Sequence, residues 1–248
     1  ENIKNNLHLA SISGGTDIVS CFVIGNPNMN VYSGEIQCAA LGMDVDIFDQ
    51  KGNSINQKKG ELVCKTPFPS KPIYFWNDKN NKKYLNAYFK KYKNIWHHGD
   101  YCEKTINNGY IIYGRSDATL NAGGVRFGTA ELYRIVENID NIIECAAVEH
   151  NLYTDTEVIL FLKIHSKFKL INKLKKLIKL EIKTNLSPKH IPSKIFQVKD
   201  IPKTKSGKIV ELSIKNIING LEVKNINAIA NPDCLKEFQY IYQELKKE

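Results

Sequence analysis

Five short stretches of the chain combine glycine, hydroxyl and charge in ways that chemistry can use. Gly14-Gly15-Thr16-Asp17 offers backbone N–H groups and a hydroxyl beside a carboxylate. Glycines let a backbone approach a phosphate closely, and a carboxylate can hold Mg²⁺ against it. An ordinary turn has the same composition. Trp96-His97-His98-Gly99-Asp100 supplies two imidazoles and a carboxylate. No third ligand lies nearby at a metal-binding spacing, and no nucleophile elbow accompanies them. A Gly-Asp turn suits a carboxylate that accepts hydrogen bonds from a ribose-like diol, or it is only a turn between strands. Gly114-Arg115-Ser116-Asp117 joins a strand-end cation to a polar pivot. The alternative is a surface ion pair, which contributes little. Asn121-Ala122-Gly123-Gly124-Val125-Arg126 has the makings of a phosphate-handling loop, but it fits neither the dinucleotide fingerprint nor the Walker loop. Pro202-Lys203-Thr204-Lys205-Ser206-Gly207-Lys208 puts three lysines in a glycine-containing loop. A lysine at such a tip can offset negative charge that builds in a transition state; a basic surface turn is the plainer reading.

These stretches need elements to hold them. Two apolar runs, 7–12 and 18–24, flank the first and read as strand, turn, strand, with a short helix opening the second run as the alternative. Residues 34–38, 43–48 and 60–65 read as strands, and 80–92 as a helix with aromatics and Leu at helical spacing. Residues 95–97 and 101–105 read as two strands, and Asn107-Asn108-Gly109 as a hairpin turn into 110–113. After a joint at about residue 116 the pattern changes. Helices are expected at 129–138, with Thr129 as N-cap, and at 170–183, 211–218 and 232–247. Strands are expected at 142–150, 157–165 and 194–198. A mostly β first half is thus followed by a compact mixed second half.

Of the 248 residues 42% are hydrophobic, with 12 Tyr and 10 Phe, which supports a packed core and argues against disorder. The net charge of +9 invites anionic partners. The lysines are interleaved with Asn and Ile, as in Ile171-Asn172-Lys173-Leu174, and no nucleic-acid recognition motif goes with them, so they read as solvated faces. The six cysteines include no Cys-x-x-Cys pair and read as reduced core thiols of a cytoplasmic protein. No apolar run approaches the ~18 residues of a membrane span, and no signal peptide is visible. The chain opens at Glu1 inside a folded-looking pattern, as a piece of a longer protein would.

Singly these signals are weak. Their order and spacing together resemble the adenylate-forming superfamily of acyl-CoA synthetases, luciferases and peptide-synthetase adenylation domains. The residues that carry the resemblance are Gly60-Glu61-Leu62-Val63, His98-Gly99-Asp100, Gly114-Arg115-Ser116-Asp117, Asn121–Arg126 with Ala130-Glu131, and Pro202–Lys208. It covers essentially the whole chain. Ser13–Ile18, Gly124–Glu131 and the tail Asn231-Pro232-Asp233-Cys234-Leu235 are similar to the acetoacetate-activating branch.

The resemblance implies an α/β (α+β) fold: residues 1–115 as the β-rich end of a large AMP-binding domain, and 116–248 as a small mobile lid domain. It implies ATP with Mg²⁺, a short acyl acid and coenzyme A as the small-molecule partners. By the same resemblance, Gly15 binds the nucleotide, Thr16 meets the α-phosphate, Asp17 stands near Mg²⁺, Asp100 holds the ribose hydroxyls and Arg115 contacts the nucleotide. Asp17 departs from the Glu most members carry. Lys208 acts in adenylation, Asp117 is the hinge, Gly123 and Gly124 line the route of the CoA thiol, and Arg126 contacts CoA or the nucleotide phosphate. The superfamily's upstream phosphate-gripping loop is absent from these residues, so the chain is expected to be the C-terminal portion of a ligase, inactive alone. The alternatives are an inactive relic or an AMP- or CoA-binding module of the same fold, and, last, a basic nucleic-acid-binding protein.

Overall fold

A computed structural model describes residues 7–122, 124–152 and 155–247. The chain divides into two compact units, Glu1–Ser116 and Asp117–Glu248.

In the first unit, β1 (Ser13–Gly15), β2 (Ser20–Ile24) and β3 (Cys38–Ala39) form one antiparallel sheet. The expected turn at Gly14-Gly15 is itself a strand, and residues 7–12 form no regular element. Gly14 explains why: a Cβ there would stand 2.3 Å from the Ser20 carbonyl oxygen, so only glycine lets β1 close onto β2. Thr16–Ile18 form a single 3₁₀ turn, and Val19 follows at φ 49°.

A second antiparallel sheet runs in the order β4 (Val45–Phe48), β5 (Gly60–Cys64), β6 (Trp96–Lys104), β7 (Tyr110–Arg115). The two strands expected at 95–105 are one strand. His97 pairs with Val63 and Tyr101 with Glu61, so His98, Gly99 and Asp100 bulge within a continuous β6. Gly99 makes this possible at φ +84°, where a side chain would also strike the Arg115 guanidinium. The expected helix at 80–92 shrinks to α1 (Lys82–Tyr88). Asn80 and Asn81 take left-handed angles, and Asp78 caps the helix by accepting from the Lys83 and Tyr84 N–H groups. Tyr84 and Tyr88, one turn apart, bury with Phe22, Phe68 and Trp96 in an aromatic core.

The second unit opens with the hairpin β8 (Leu120–Ala122) and β9 (Val125–Phe127), then α2 (Thr129–Val136). Gly128, not Thr129, is the N-cap; its N–H donates to Glu131 and Thr129 is buried. The central sheet runs β10 (Ile142–Asn151), β11 (Thr156–Ile164), β12 (Lys194–Val198), with the last pair parallel. The unbroken apolar run of β11 has a simple cause: alternate residues serve two cores. Val158, Leu160 and Leu162 face α2 and α3 (Asn172–Asn185), while Ile159 and Phe161 face α4 (Glu211–Ile218) and α5 (Leu235–Leu245). The apolar stripe expected over 170–183 buries Ile178 and Ile182 but leaves Leu177 exposed. Pro232–Cys234 form a 3₁₀ turn ahead of α5, so that helix starts three residues later than expected.

Candidate functional site

In the first unit the β6 bulge places Asp100 directly opposite Arg115, the last residue of β7. The Asp100 carboxylate is buried. One oxygen accepts from Arg115 Nη1 at 3.3 Å, and the other accepts from the Ser13 hydroxyl at 3.3 Å. Arg115 Nη1 also donates to the His98 carbonyl at 3.1 Å, which ties the guanidinium to the bulge. His98 is buried against Phe22, with Nε2 3.7 Å from Asp100. Burial pushes its pKa below the usual histidine range although Asp100 opposes this, so the ring is neutral at physiological pH. A paired carboxylate with a cation at its edge can accept hydrogen bonds from hydroxyls and present positive charge to an anion.

The 3₁₀ turn after β1 leaves Thr16 and Asp17 exposed. Asp17 is held from beneath: the Tyr88 hydroxyl donates to Oδ2 at 2.5 Å, and the Tyr88 ring stacks on Trp96 at 3.7 Å. Burial, and then the Asp17 carboxylate, push the Tyr88 phenol well above its ordinary pKa, so it stays a donor. Among the described residues no group of three His, Cys, Asp or Glu could hold a metal ion.

Below this surface lies a second carboxylate cluster. Glu61, 1% exposed on β5, receives Lys91 Nζ at 2.6 Å, His97 Nε2 at 3.0 Å and the Ser116 hydroxyl. Ser116 is the last residue of the unit.

In the second unit, Asp117 is exposed at the first position. Gly124 sits in the β8–β9 turn at φ +82° with open space where a side chain would be. Gly123 lies outside the described residues. Arg126 pairs across the hairpin with Asn121, and its Nε donates to the Thr119 hydroxyl at 3.0 Å. Lys208 is exposed at the end of a tight loop closed on Thr204. Ser13, Tyr88 and Glu61 were not singled out as site residues. Tyr88 was hidden in an aromatic stripe at helical spacing, which reads as core. Ser13 and Glu61 lie inside two of the motifs, with nothing in the sequence to show their partners.

The chain matches no protein-family model. It is similar to the acetoacetyl-coenzyme A synthetase of Rhizobium meliloti (strain 1021), 49% identical over 99% of this chain and 38% of that protein. The acetoacetyl-CoA synthetase of Xenopus tropicalis is 45% identical over 97% of this chain and 36% of its own length. The solved acetoacetyl-CoA synthetase from Streptomyces lividans superposes with a TM-score of 0.89 at 36% identity, covering 95% of this chain and 36% of that one. A benzoate CoA ligase from Burkholderia xenovorans LB400, at 24% identity and a TM-score of 0.70, shares the fold. The expected likeness to acetoacetyl-CoA synthetases is therefore borne out along nearly the whole chain, and so is the mixed α/β fold class. The chain spans 36–38% of the length of the two curated relatives. Among the described residues no helix is long and apolar enough to cross a membrane.

Proposed function

We propose that the chain is the C-terminal part of an acetoacetate–CoA ligase. Such a ligase joins a short acyl acid to AMP at the expense of ATP and then passes the acyl group to coenzyme A. The observation that carries this reading is the Ser13–Asp100–Arg115 cluster beside exposed Thr16 and Asp17, a set suited to a nucleotide's ribose and phosphates. The acetoacetyl-CoA synthetase likeness supports the substrate class, and the share of those proteins covered supports a portion of such a ligase.

In the first half-reaction the acid's carboxylate oxygen attacks the α-phosphorus and pyrophosphate leaves. Asp100 accepts hydrogen bonds from the ribose hydroxyls, and Arg115 holds the same nucleotide. Gly15 lies against the nucleotide, and the Thr16 hydroxyl meets the α-phosphate. The Lys208 ammonium offsets the charge that builds on the α-phosphate and the leaving pyrophosphate. Mg²⁺ fits Asp17, an exposed carboxylate held by Tyr88, because this ion commonly takes one or two carboxylates and fills its shell with phosphate and water. When bound it supplies positive charge against the phosphates.

In the second half-reaction the CoA thiol sulfur attacks the acyl carbon and AMP departs. A turn of the backbone at Asp117 would present Lys208 to the first step and the Gly124 loop to the second. The open space at Gly124 leaves passage for the pantetheine arm, and Arg126 takes a phosphate of CoA or of the nucleotide.

The test is pyrophosphate release by the complete ligase on a panel of short acids. Acetoacetate should exceed acetate at least tenfold, and equal rates remove the assignment. This chain alone should show no ATP–pyrophosphate exchange with acetoacetate; exchange above background sinks the fragment reading. A second reading, an AMP- or CoA-binding module without turnover, draws on the chain's partial coverage of its relatives. It takes over if no phosphate-gripping loop is encoded in frame upstream.

A further inference from the structure

The loop that carries Lys208 is closed on itself. Lys208 O accepts from the Thr204 N–H at 2.8 Å, Lys208 N–H donates to Thr204 Oγ1 at 3.1 Å, and Gly207 N–H donates to Thr204 O at 2.9 Å. Residues 205–208 are exposed. A lysine on a flexible four-carbon stem gains no precision from its own side chain, so its placement must come from the backbone beneath it.

That backbone is held by the chain's tail. On one side Lys203 bridges to Ile209; on the other Thr204 bridges to Ile229, and the Ala230 N–H donates to Lys203 O at 2.8 Å. The Asn231 side chain then continues the pairing where the tail's backbone turns away into Pro232. Its Oδ1 accepts from the Lys203 N–H at 2.9 Å, and its Nδ2 donates to the Ile201 carbonyl at 2.9 Å. Residues 201 and 203 present these two groups on one edge of an extended segment. A side-chain amide carries both a donor and an acceptor, so it can stand in for a neighbouring strand. Nδ2 also donates to Asp200 Oδ2 at 2.6 Å, and the other Asp200 oxygen takes Lys163 Nζ from β11 at 2.6 Å. The clamp is thereby tied to the central sheet.

We infer that Asn231 is a positioning residue for Lys208, fixing the stem of its loop so that the ammonium is delivered to one place. This rests on the proposed role of Lys208 in adenylation. An error of about 1 Å in such a group can cost on the order of 100-fold in rate.

The test uses N231A and N231S. The second keeps a neutral hydroxyl that can accept from Lys203 but is too short to bridge to Ile201 and Asp200 as the amide does, so it reports even if N231A unfolds. In this chain, amide hydrogen exchange at Thr204, Gly207 and Lys208 should speed up at least tenfold, with β10 and β11 unchanged. In the complete ligase, adenylation should slow at least tenfold, while CoA attack on supplied acyl-adenylate keeps its rate. Unchanged exchange in the loop overturns the inference. Equal slowing of both half-reactions also overturns it, since that is general loosening. K208A is the control: wild-type adenylation there removes the reading of Lys208, and the positioning role with it, whatever the exchange shows.

Discussion

Glu61 and Glu211 are both carboxylates withdrawn from solvent, one in each unit, and they answer burial in opposite ways. For both, burial is the largest influence and acts to raise the pKa. At Glu61 it is overcome. Hydrogen bonds from His97, Lys91 and Ser116, with the Lys91 charge, hold the carboxyl well below the usual range. At Glu211 burial prevails. Its donors are its own N–H and the Tyr133 and Thr129 hydroxyls, all neutral, and the like charge of Asp117 pushes the same way, so its pKa is raised. The difference lies in the donors: at Glu61 the side-chain hydrogen bonds from His97, Lys91 and Ser116, with the Lys91 charge added, outweigh burial, and at Glu211 the Tyr133 bond at 3.3 Å does not. Each cluster involves the end residue of its own unit: Ser116 is a donor to Glu61 in the first, and Asp117 bears on Glu211 in the second.

The largest effect should come from E61A. It takes the carboxylate from His97 and half-buried Lys91, and losing hydrogen bonds to a charged group costs about 1.5–3 kcal/mol. Denaturant unfolding of the chain, with exchange at β5 and β6 to locate the loss, measures it. Because the folded pKa of Glu61 is depressed, its stabilisation is present above the ordinary Glu pKa and fades as pH falls below it. E61A should therefore lose most at neutral pH and little in acid. A pH-independent loss would break the contrast.

E211Q should act the other way. A raised folded pKa contributes stability that is full below the ordinary Glu pKa and lost as pH rises through the folded value. Burial disfavours the charged form of Glu211, and the amide has no charged form. Thermal unfolding of E211Q at neutral pH should rise by about 2–4 °C, the shift that goes with ~1 kcal/mol at this chain length. The gain should vanish in acid. A loss of stability at neutral pH would mean that Glu211 is held charged like Glu61.

The smallest effect belongs to S116A. Glu61 keeps Lys91 and His97, so global stability should fall by about 1 kcal/mol at most. Exchange at the Asp117 and Ala118 amides should still quicken, because the last residue of the first unit has lost its tether. Unchanged exchange there would show that Ser116 anchors nothing.

The sequence was most readable where local pattern and burial agree. The strand Lys194–Val198 and the helix Glu211–Ile218 have the bounds their periodicity predicts. It was least readable where the backbone departs from the pattern for a contact elsewhere. Gly14-Gly15 looked like a turn because its partner, Ser20-Cys21, sets the need for glycine. His98-Gly99-Asp100 looked like a break between strands because a bulge is defined by the opposite strand, not by its own residues. The charged groups Asp100, Arg115 and Lys208 could be picked out by type and spacing. What supports them could not: Tyr88 under Asp17 and Asn231 under the Lys208 loop are long-range partners whose side chains also suit ordinary structure.

The β6 bulge sets a limit on how this sheet can change. His98, Gly99 and Asp100 occupy the stretch opposite a single residue of β5. Side chains along a strand alternate with a period of two, so losing two of the three would keep every later residue on its proper face and mend the ladder. Losing one would turn the rest of β6 inside out. Selection for stability alone would therefore favour the two-residue deletion, and selection for fold alone would not oppose it. Insertions and deletions in related chains become a direct record of whether Asp100 is still in use.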